Sequence, residues 1–203
     1  MWIIPFSDIQ TPIDILFETL SKEEQIIANS FYKLKDKNNY IYSHAYLRLL
    51  LSKFYSNIEP SQWEFTKNSY GKPYISSKYN IELFFNISHS DNYLAVIFDT
   101  KNECGIDIQE SGGIVIDKGI VDLVLSKREK EIYYSSEDRE SIFYTFWTLK
   151  EAYLKALGRG FSLSPDSVDF SDINDIGEIR KGDYNLKTKR LDDDLFISYA
   201  IKS

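Results

Sequence analysis

One cysteine, Cys104, stands in a chain of 203 residues, so no disulfide can form within it and a reducing compartment, the cytoplasm, is expected. Long apolar runs are also missing. No stretch approaches the roughly 20 residues a membrane helix needs, and the first residues lack the basic start and apolar core of a signal peptide, so no membrane partner is expected. Basic residues are in the minority, 24 Lys and Arg against 31 Asp and Glu. The resulting net charge of −7 excludes the broad cationic surface of a nucleic-acid binder, and the tyrosines lack the interleaved basic residues of a base-stacking platform. Apolar residues are plentiful: 43% hydrophobic and 15% aromatic is enough to bury a sizeable core in one large or two small domains.

The stretch FWTLKEAYLKALGRG, from Phe146 to Gly160, reads as a helix. Phe143, Phe146, Trp147, Lys150, Tyr153, Leu154 and Leu157 recur at three- and four-residue steps, giving one apolar stripe that only Lys150 interrupts. Glu151 and Lys155 lie one turn apart on the flank of that stripe, either as a surface ion pair or as a pair at the edge of a cleft. Upstream, GIDIQE from Gly105 to Glu110 alternates as a strand, with Ile106 and Ile108 on one face and Asp107 and Gln109 on the other. A hard divalent cation such as Mg²⁺ takes oxygen ligands, commonly one or two carboxylates with water and phosphate. Asp107 from a strand and Glu151 from a helix would suffice; taken alone, Asp107 is equally a strand-end acid exposed to water. Gly71-Lys72-Pro73 breaks the chain at a turn, where Lys72 is either a solvated lysine or a cation that meets a phosphate. His89 ends the strand LFFNISHS beside Ser88, before the turn-like Ser90-Asp91-Asn92, whereas His44 falls on a helical pattern with Leu47, Leu51 and Phe54 and is expected to be partly buried.

Four ordered stretches, GKPYI from Gly71, FNISHS from Phe85, GIDIQ from Gly105 and FWTLKEAYLKALGRG from Phe146, resemble the 4′-phosphopantetheinyl transferases of the surfactin-synthetase-activating type. The resemblance implies transfer of the phosphopantetheine arm of coenzyme A to a serine hydroxyl of an acyl or peptidyl carrier protein, with Mg²⁺ as cofactor and adenosine 3′,5′-bisphosphate leaving. It further implies that Asp107 and Glu151 are metal ligands, that Glu151 is the general base, and that Lys155 is the cation over the diphosphate. Lys72, Ser88 and His89 would contact the nucleotide end of coenzyme A. The implied fold is α+β: two pseudo-symmetric halves, each helix plus antiparallel sheet, with the active site in the cleft between them. The halves divide near Glu103, as residues 1–103 and 104–203, and a monomer would suffice.

The chain departs from the family in two places. Gln109 stands where many relatives carry a further glutamate ligand, and a neutral amide binds Mg²⁺ less tightly. Glu24, Ile27 and Asn39 occupy places where relatives often carry basic residues for the 3′-phosphate; Lys33, Lys35 and Lys37 either replace them or form a solvated loop. These departures motivate an alternative, a noncatalytic coenzyme A or carrier-binding module. Ser21 with Glu24 and Ser126 with Glu129 are capping-box patterns. The apolar set Ile114, Ile116, Ile120, Val121, Leu123 and Val124 is either buried core or a carrier-docking surface, and Lys118, Lys127, Arg128 and Lys130 would form a basic patch for an acidic carrier. Periodicity predicts strands near 2–6, 63–66, 83–88, 94–99, 105–109, 168–170, 184–190 and 195–201. Helices are predicted near 23–34, 39–55, 118–125, 127–134 and 141–157, with Asp192-Asp193-Asp194 as a hairpin turn.

Overall fold

Alternating apolar residues and capped amphipathic segments build two halves of helices and antiparallel sheet in the computed structural model, which describes residues 1–192 and 194–203. The first half runs β1 (Trp2–Pro5), α1 (Ile13–Glu18), α2 (Lys22–Ser30), α3 (Leu34–Phe54), β2 (Phe65–Lys67), β3 (Pro73–Ile75), β4 (Phe84–His89) and β5 (Tyr93–Asp99). The second runs β6 (Cys104–Glu110), α4 (Lys118–Val124), α5 (Lys127–Ser135), α6 (Arg139–Leu157), β7 (Glu178–Lys181), β8 (Tyr184–Asp192) and β9 (Leu195–Lys202). Strand order is β1-β5-β4 in one sheet and β6-β9-β8-β7 in the other, with β2-β3 as a separate hairpin. Among the described residues no helix is long and apolar enough to cross a membrane.

Both capping boxes form. Ser21 Oγ accepts from the Glu24 amide at 3.2 Å while Glu24 Oε2 accepts from the Ser21 amide at 2.9 Å, and Ser126 with Glu129 repeats the exchange at the start of α5. Helix α6 stops at Gly158, whose φ of 62° lets its amide return to the Leu154 carbonyl. The α6 stripe packs as its period requires, with Phe143 and Phe146 buried against Phe170, Phe196 and Ala200. Lys150, the polar interruption, is buried in a pair with Glu129 at 2.7 Å, and its ammonium also donates to the Pro165 and Val168 carbonyls.

Three expectations are corrected here. Val168 and Phe170 are not a strand. Their backbone is satisfied by side chains, the Val168 carbonyl by Lys150 and the Phe170 amide by Glu129 at 2.8 Å, so no neighbouring strand is needed. Helix α2 ends at Ser30 and α3 begins at Leu34, earlier than the predicted 34 and 39, because the lysine-rich segment is itself the first turn of α3. Short elements α1, β3 and β7 carry too few residues for a period to register. The predicted turn at Asp192 to Asp194 includes Asp193, which lies outside the described residues; the flanking strands pair, with Asp192 opposite Leu195.

Two close approaches hold the site. A Cβ placed on Gly105 would lie 2.1 Å from the Ala152 carbonyl oxygen and 2.4 Å from the Ala156 nitrogen, so α6 rests directly on β6. Strands β4 and β6 lie side by side, running the same way, and are joined by side chains: Asn86 Oδ1 accepts from the Ile106 amide at 2.9 Å and Ser88 Oγ from the Ile108 amide at 3.4 Å. Apolar contact completes this joint, with Ala95 and Ile97 of β5 packed among Ile106, Ile108 and Ile197.

Candidate active site between the halves

Asp107 occupies the middle of β6 on the face opposite Ile106 and Ile108, as its alternation requires, yet α6 covers that face and leaves the residue only 1% exposed. Its Oδ1 accepts from Lys155 Nζ at 2.6 Å and from Ser88 Oγ at 2.8 Å, and its Oδ2 accepts from Gln109 Nε2 at 3.2 Å. Lys155 Nζ also donates to Ser88 Oγ at 3.0 Å. Strand β4, strand β6 and helix α6 therefore each supply one corner of a polar cluster, and residues distant in sequence meet there.

Glu151 stands one turn before Lys155 on α6 and makes no hydrogen bond or ion pair among the described residues. Burial first, and then the negative charge of Asp107, raise its pKa above the ordinary carboxylate value against the opposing pull of Lys155. A half-buried carboxylate with no partner, facing a second carboxylate, is a position that a cation would relieve. The donor set is all oxygen, and among the described residues no third acid, histidine or cysteine joins it. That chemistry fits Mg²⁺, which commonly keeps several waters and shares its shell with substrate phosphates. Gln109 points its amide N–H at Asp107, an orientation that steadies the aspartate.

His89 follows Ser88 at the end of β4. Although its edge reaches solvent, crowding removes enough hydration to lower its pKa, and the nearby Lys155 adds to the effect. Two cavities flank the cluster. One, of about 600 Å³, meets it at His89 and Gln109; the other, of about 280 Å³, is bounded by Glu151, Lys155, Ile87 and the turn from Tyr70 to Pro73.

Of the two readings of Lys72, a solvated turn lysine or a cation that meets a phosphate, the first does not hold, since the residue is buried. Gly71, with φ of 91°, makes the turn, but the lysine side chain folds inward: Nζ donates to Glu103 Oε2 at 2.5 Å and to the Cys104 and Ala156 carbonyls at 3.1 and 3.0 Å. Asn68 adds a bond from its Nδ2 to the Gly158 carbonyl at 2.8 Å. The β2-β3 hairpin is thus clamped on the C-terminal end of α6, where exposed carbonyls attract donors and cations. Glu110 accepts from Ser90 Oγ, the Asn92 amide and Asn92 Nδ2 at 2.5, 2.9 and 2.7 Å, and so fixes the turn that follows His89. Its partners lie 18 and 20 residues upstream, beyond any local pattern.

The apolar set after β6 divides. Val121 and Val124 are core and Ile116 and Ile120 pack against it, whereas Ile114, Val115 and Leu123 remain exposed. The expected basic patch is partly neutralised, since Arg128 pairs with Asp172 and Lys130 with Asp122.

Residues 103–200 match the family model described as the 4′-phosphopantetheinyl transferase superfamily, and residues 7–101 match one described as 4′-phosphopantetheinyl transferase, N-terminal. The 4′-phosphopantetheinyl transferase HetI of Nostoc sp. strain PCC 7120 is 32% identical over 165 residues, covering 80% of this chain and 69% of the relative. The 4′-phosphopantetheinyl transferase ffp of Bacillus subtilis is 30% identical over 160 residues, covering 78% and 69%. The 4′-phosphopantetheinyl transferase Sfp of Bacillus subtilis strain 168 is 30% identical over 150 residues, covering 73% of this chain and 64% of the relative.

Proposed function

The chain belongs to the 4′-phosphopantetheinyl transferase superfamily, and from that premise we propose that it transfers the phosphopantetheine arm of coenzyme A to a serine hydroxyl of a carrier protein, with Mg²⁺, at the Asp107, Glu151 and Lys155 cluster. The observation that carries the site assignment is Glu151: a carboxylate without a partner among the described residues, its pKa raised, one helical turn from the lysine that pairs with Asp107.

Phosphoryl transfer asks a protein mainly for positioning and for charge opposite the phosphate oxygens. Lys155 supplies a cation that can turn from Asp107 to the diphosphate when substrate enters. Asp107 and Glu151 would hold Mg²⁺, which when bound contributes positive charge to the same oxygens. Glu151 accepts the proton of the incoming serine hydroxyl; a raised pKa brings a carboxylate closer to the basicity that such a step uses. Ser88 and Gln109 keep Asp107 in one orientation through its two oxygens. With Gln109 engaged in this way, the amide does not argue for a module that has lost its chemistry. Lys72 is assigned to positioning, since its ammonium is already enclosed.

All the cluster residues come from one chain, which supports a monomer as the working unit, and a lone buried Cys104 suits the cytoplasm. Coenzyme A and an acyl or peptidyl carrier are the partners, rather than nucleic acid or membrane; the exposed Ile114, Val115 and Leu123 supply apolar surface on the catalytic half for the carrier. Incubation with coenzyme A, Mg²⁺ and an apo-carrier, followed by mass spectrometry of the carrier, tests the reading. One added phosphopantetheine is expected, and Asp107→Ala and Glu151→Gln should each abolish it while circular dichroism stays that of the folded protein. Wild-type turnover in either variant would remove that residue from the mechanism.

A further inference from the structure

Coenzyme A has two unlike ends to place beside the cluster. The larger cavity, of about 600 Å³, reaches the cluster at His89 and is walled in part by the rings of Phe31 and Tyr40, with Asn39 beside them. It has room for a nucleoside, and it holds His89 and Asn39, the positions expected at the nucleotide and at its 3′-phosphate. The acids Asp36, Asp91 and Glu110 also line it, and Glu110 is already engaged by Ser90 and Asn92. A 3′-phosphate carries roughly two negative charges. Among such neighbours it needs a cation from the rim of the cavity.

Three lysines stand at the start of α3, and the structure separates them. Lys33 precedes the first turn of the helix. Lys37 turns to another surface, where its Nζ donates to Asn29 Oδ1 at 2.8 Å and lies 5.8 Å from the centroid of the Phe17 ring. Lys35, four residues before Asn39, shares that residue's side of the helix. Its Nζ pairs at 2.6 Å with Oδ2 of Asp91, a residue of the cavity wall. Asn39 Nδ2 donates to the Asp91 carbonyl at 3.2 Å, so α3 and the turn that carries Asp91 are held together with the ammonium at the cavity mouth. Both side chains of the pair are exposed, and an ion pair in such a position is weakly held. A phosphate, with more charge and more acceptor oxygens than a carboxylate, competes successfully for the same lysine.

We infer that Lys35 recognises the 3′-phosphate of coenzyme A, leaving Asp91 for it when the nucleotide enters, and that Asp91, by competing for the ammonium, limits how strongly the phosphate is held. The inference rests on the transferase reading. It gives one lysine on α3 a task that Glu24, Ile27 and Asn39 cannot perform by charge.

Transfer to an apo-carrier is measured with coenzyme A and with 3′-dephospho-coenzyme A, which lacks only that phosphate. The wild-type protein should favour coenzyme A by about five- to twentyfold in kcat/KM, the effect of one charge-assisted bond at an exposed site. Lys35→Ala should bring this ratio close to one, and Lys35→Arg should retain most of it. Asp91→Asn, which removes the competitor and its repulsion of the phosphate, should raise the ratio by a further factor of about two to three. A wild-type ratio near one, a ratio that Lys35→Ala leaves in place, or one that Asp91→Asn fails to raise would overturn the assignment. The transferase reading would stand in each of those cases, because both substrates carry the same arm. A wild-type protein that modifies the carrier with neither substrate would overturn both.

Discussion

Gln109 shows how one amide changes the requirements of its neighbours. Its Nε2 donates to Asp107 Oδ2 at 3.2 Å, so in the metal-free protein it removes part of the cost of burying that carboxylate. Gln109→Glu should exchange this bond for a like-charge contact, lowering the metal-free melting temperature by about 2–4 °C for a loss on the order of 1 kcal/mol. In the presence of Mg²⁺ the added carboxylate should lower the half-saturating metal concentration for transfer; an unchanged Mg²⁺ profile would place this side chain out of reach of the ion. Glu24 illustrates the opposite balance. Burial opposes its ionisation, but bonds from His44 at 3.0 Å and from the Ser21 amide, with the Arg48 guanidinium at 2.7 Å, hold its pKa below the ordinary 4.5. A carboxyl depressed in the folded state stabilises the protein at pH above 4.5, and that stabilisation is lost as pH falls through the lowered value. Glu24→Gln leaves Arg48 buried without its counter-ion and should cost about 3 kcal/mol near neutrality. The gap in melting temperature between wild type and variant should narrow steadily below pH 4.5, and a gap independent of pH would rule out this linkage.

Among the elements, the contact of β6 with α6 does most to place the chemistry, and it depends on Gly105. A methyl group there would sit 2.1 Å from the Ala152 carbonyl oxygen, so Gly105→Ala forces α6 outward, and α6 carries Glu151 and Lys155. Overpacking of this kind costs about 1–3 kcal/mol. Transfer should fall far more than stability does, because the separation of Asp107 from Glu151 changes directly; a variant that melts lower yet turns over normally would show that the helix shifts without the site. The glycine and both alanines stand in the sequence motifs, and the alternation of GIDIQE and the helical step from Glu151 to Lys155 announced the right faces. What sequence could not announce was that both faces of β6 are covered. A period of two separates Asp107 from Ile106 but does not reveal that a helix lies over the polar side. The same limit hid the enclosure of Lys72, whose acceptors are backbone carbonyls contributed by other elements, and the irregular backbone at Val168 to Phe170, where two buried side chains replace a strand partner.

Across the whole molecule, the two halves meet through a joint that is apolar on one side of β6 and polar on the other, and its polar end determines where His89 stands. The turn at Ser90 to Asn92 is approached from three directions. The Phe6 amide, just after β1, donates to the Asn92 carbonyl at 2.8 Å, Asn39 of α3 donates to the Asp91 carbonyl at 3.2 Å, and Glu110 at the end of β6 takes three bonds from Ser90 and Asn92. Only Glu110 comes from the second half, so it alone of the three ties this turn to the strand that carries Asp107. Glu110→Ala leaves the first half's anchors in place and should cost about 1–2 kcal/mol, or roughly 2–8 °C in melting temperature for a chain of this size. Amide exchange should quicken at Asn92, whose donor loses its acceptor, while amides in α6 keep their protection, since the Gly105 contact is untouched. Because Asp107, Glu151 and Lys155 remain assembled, transfer at saturating coenzyme A should persist and the loss should appear in KM, through a binding cavity whose wall at Ser90 to Asn92 has loosened. Equal exchange at Asn92 in the two proteins would mean that the first half holds the turn unaided; a fall in kcat with KM unchanged would mean that the joint acts on the reacting groups themselves.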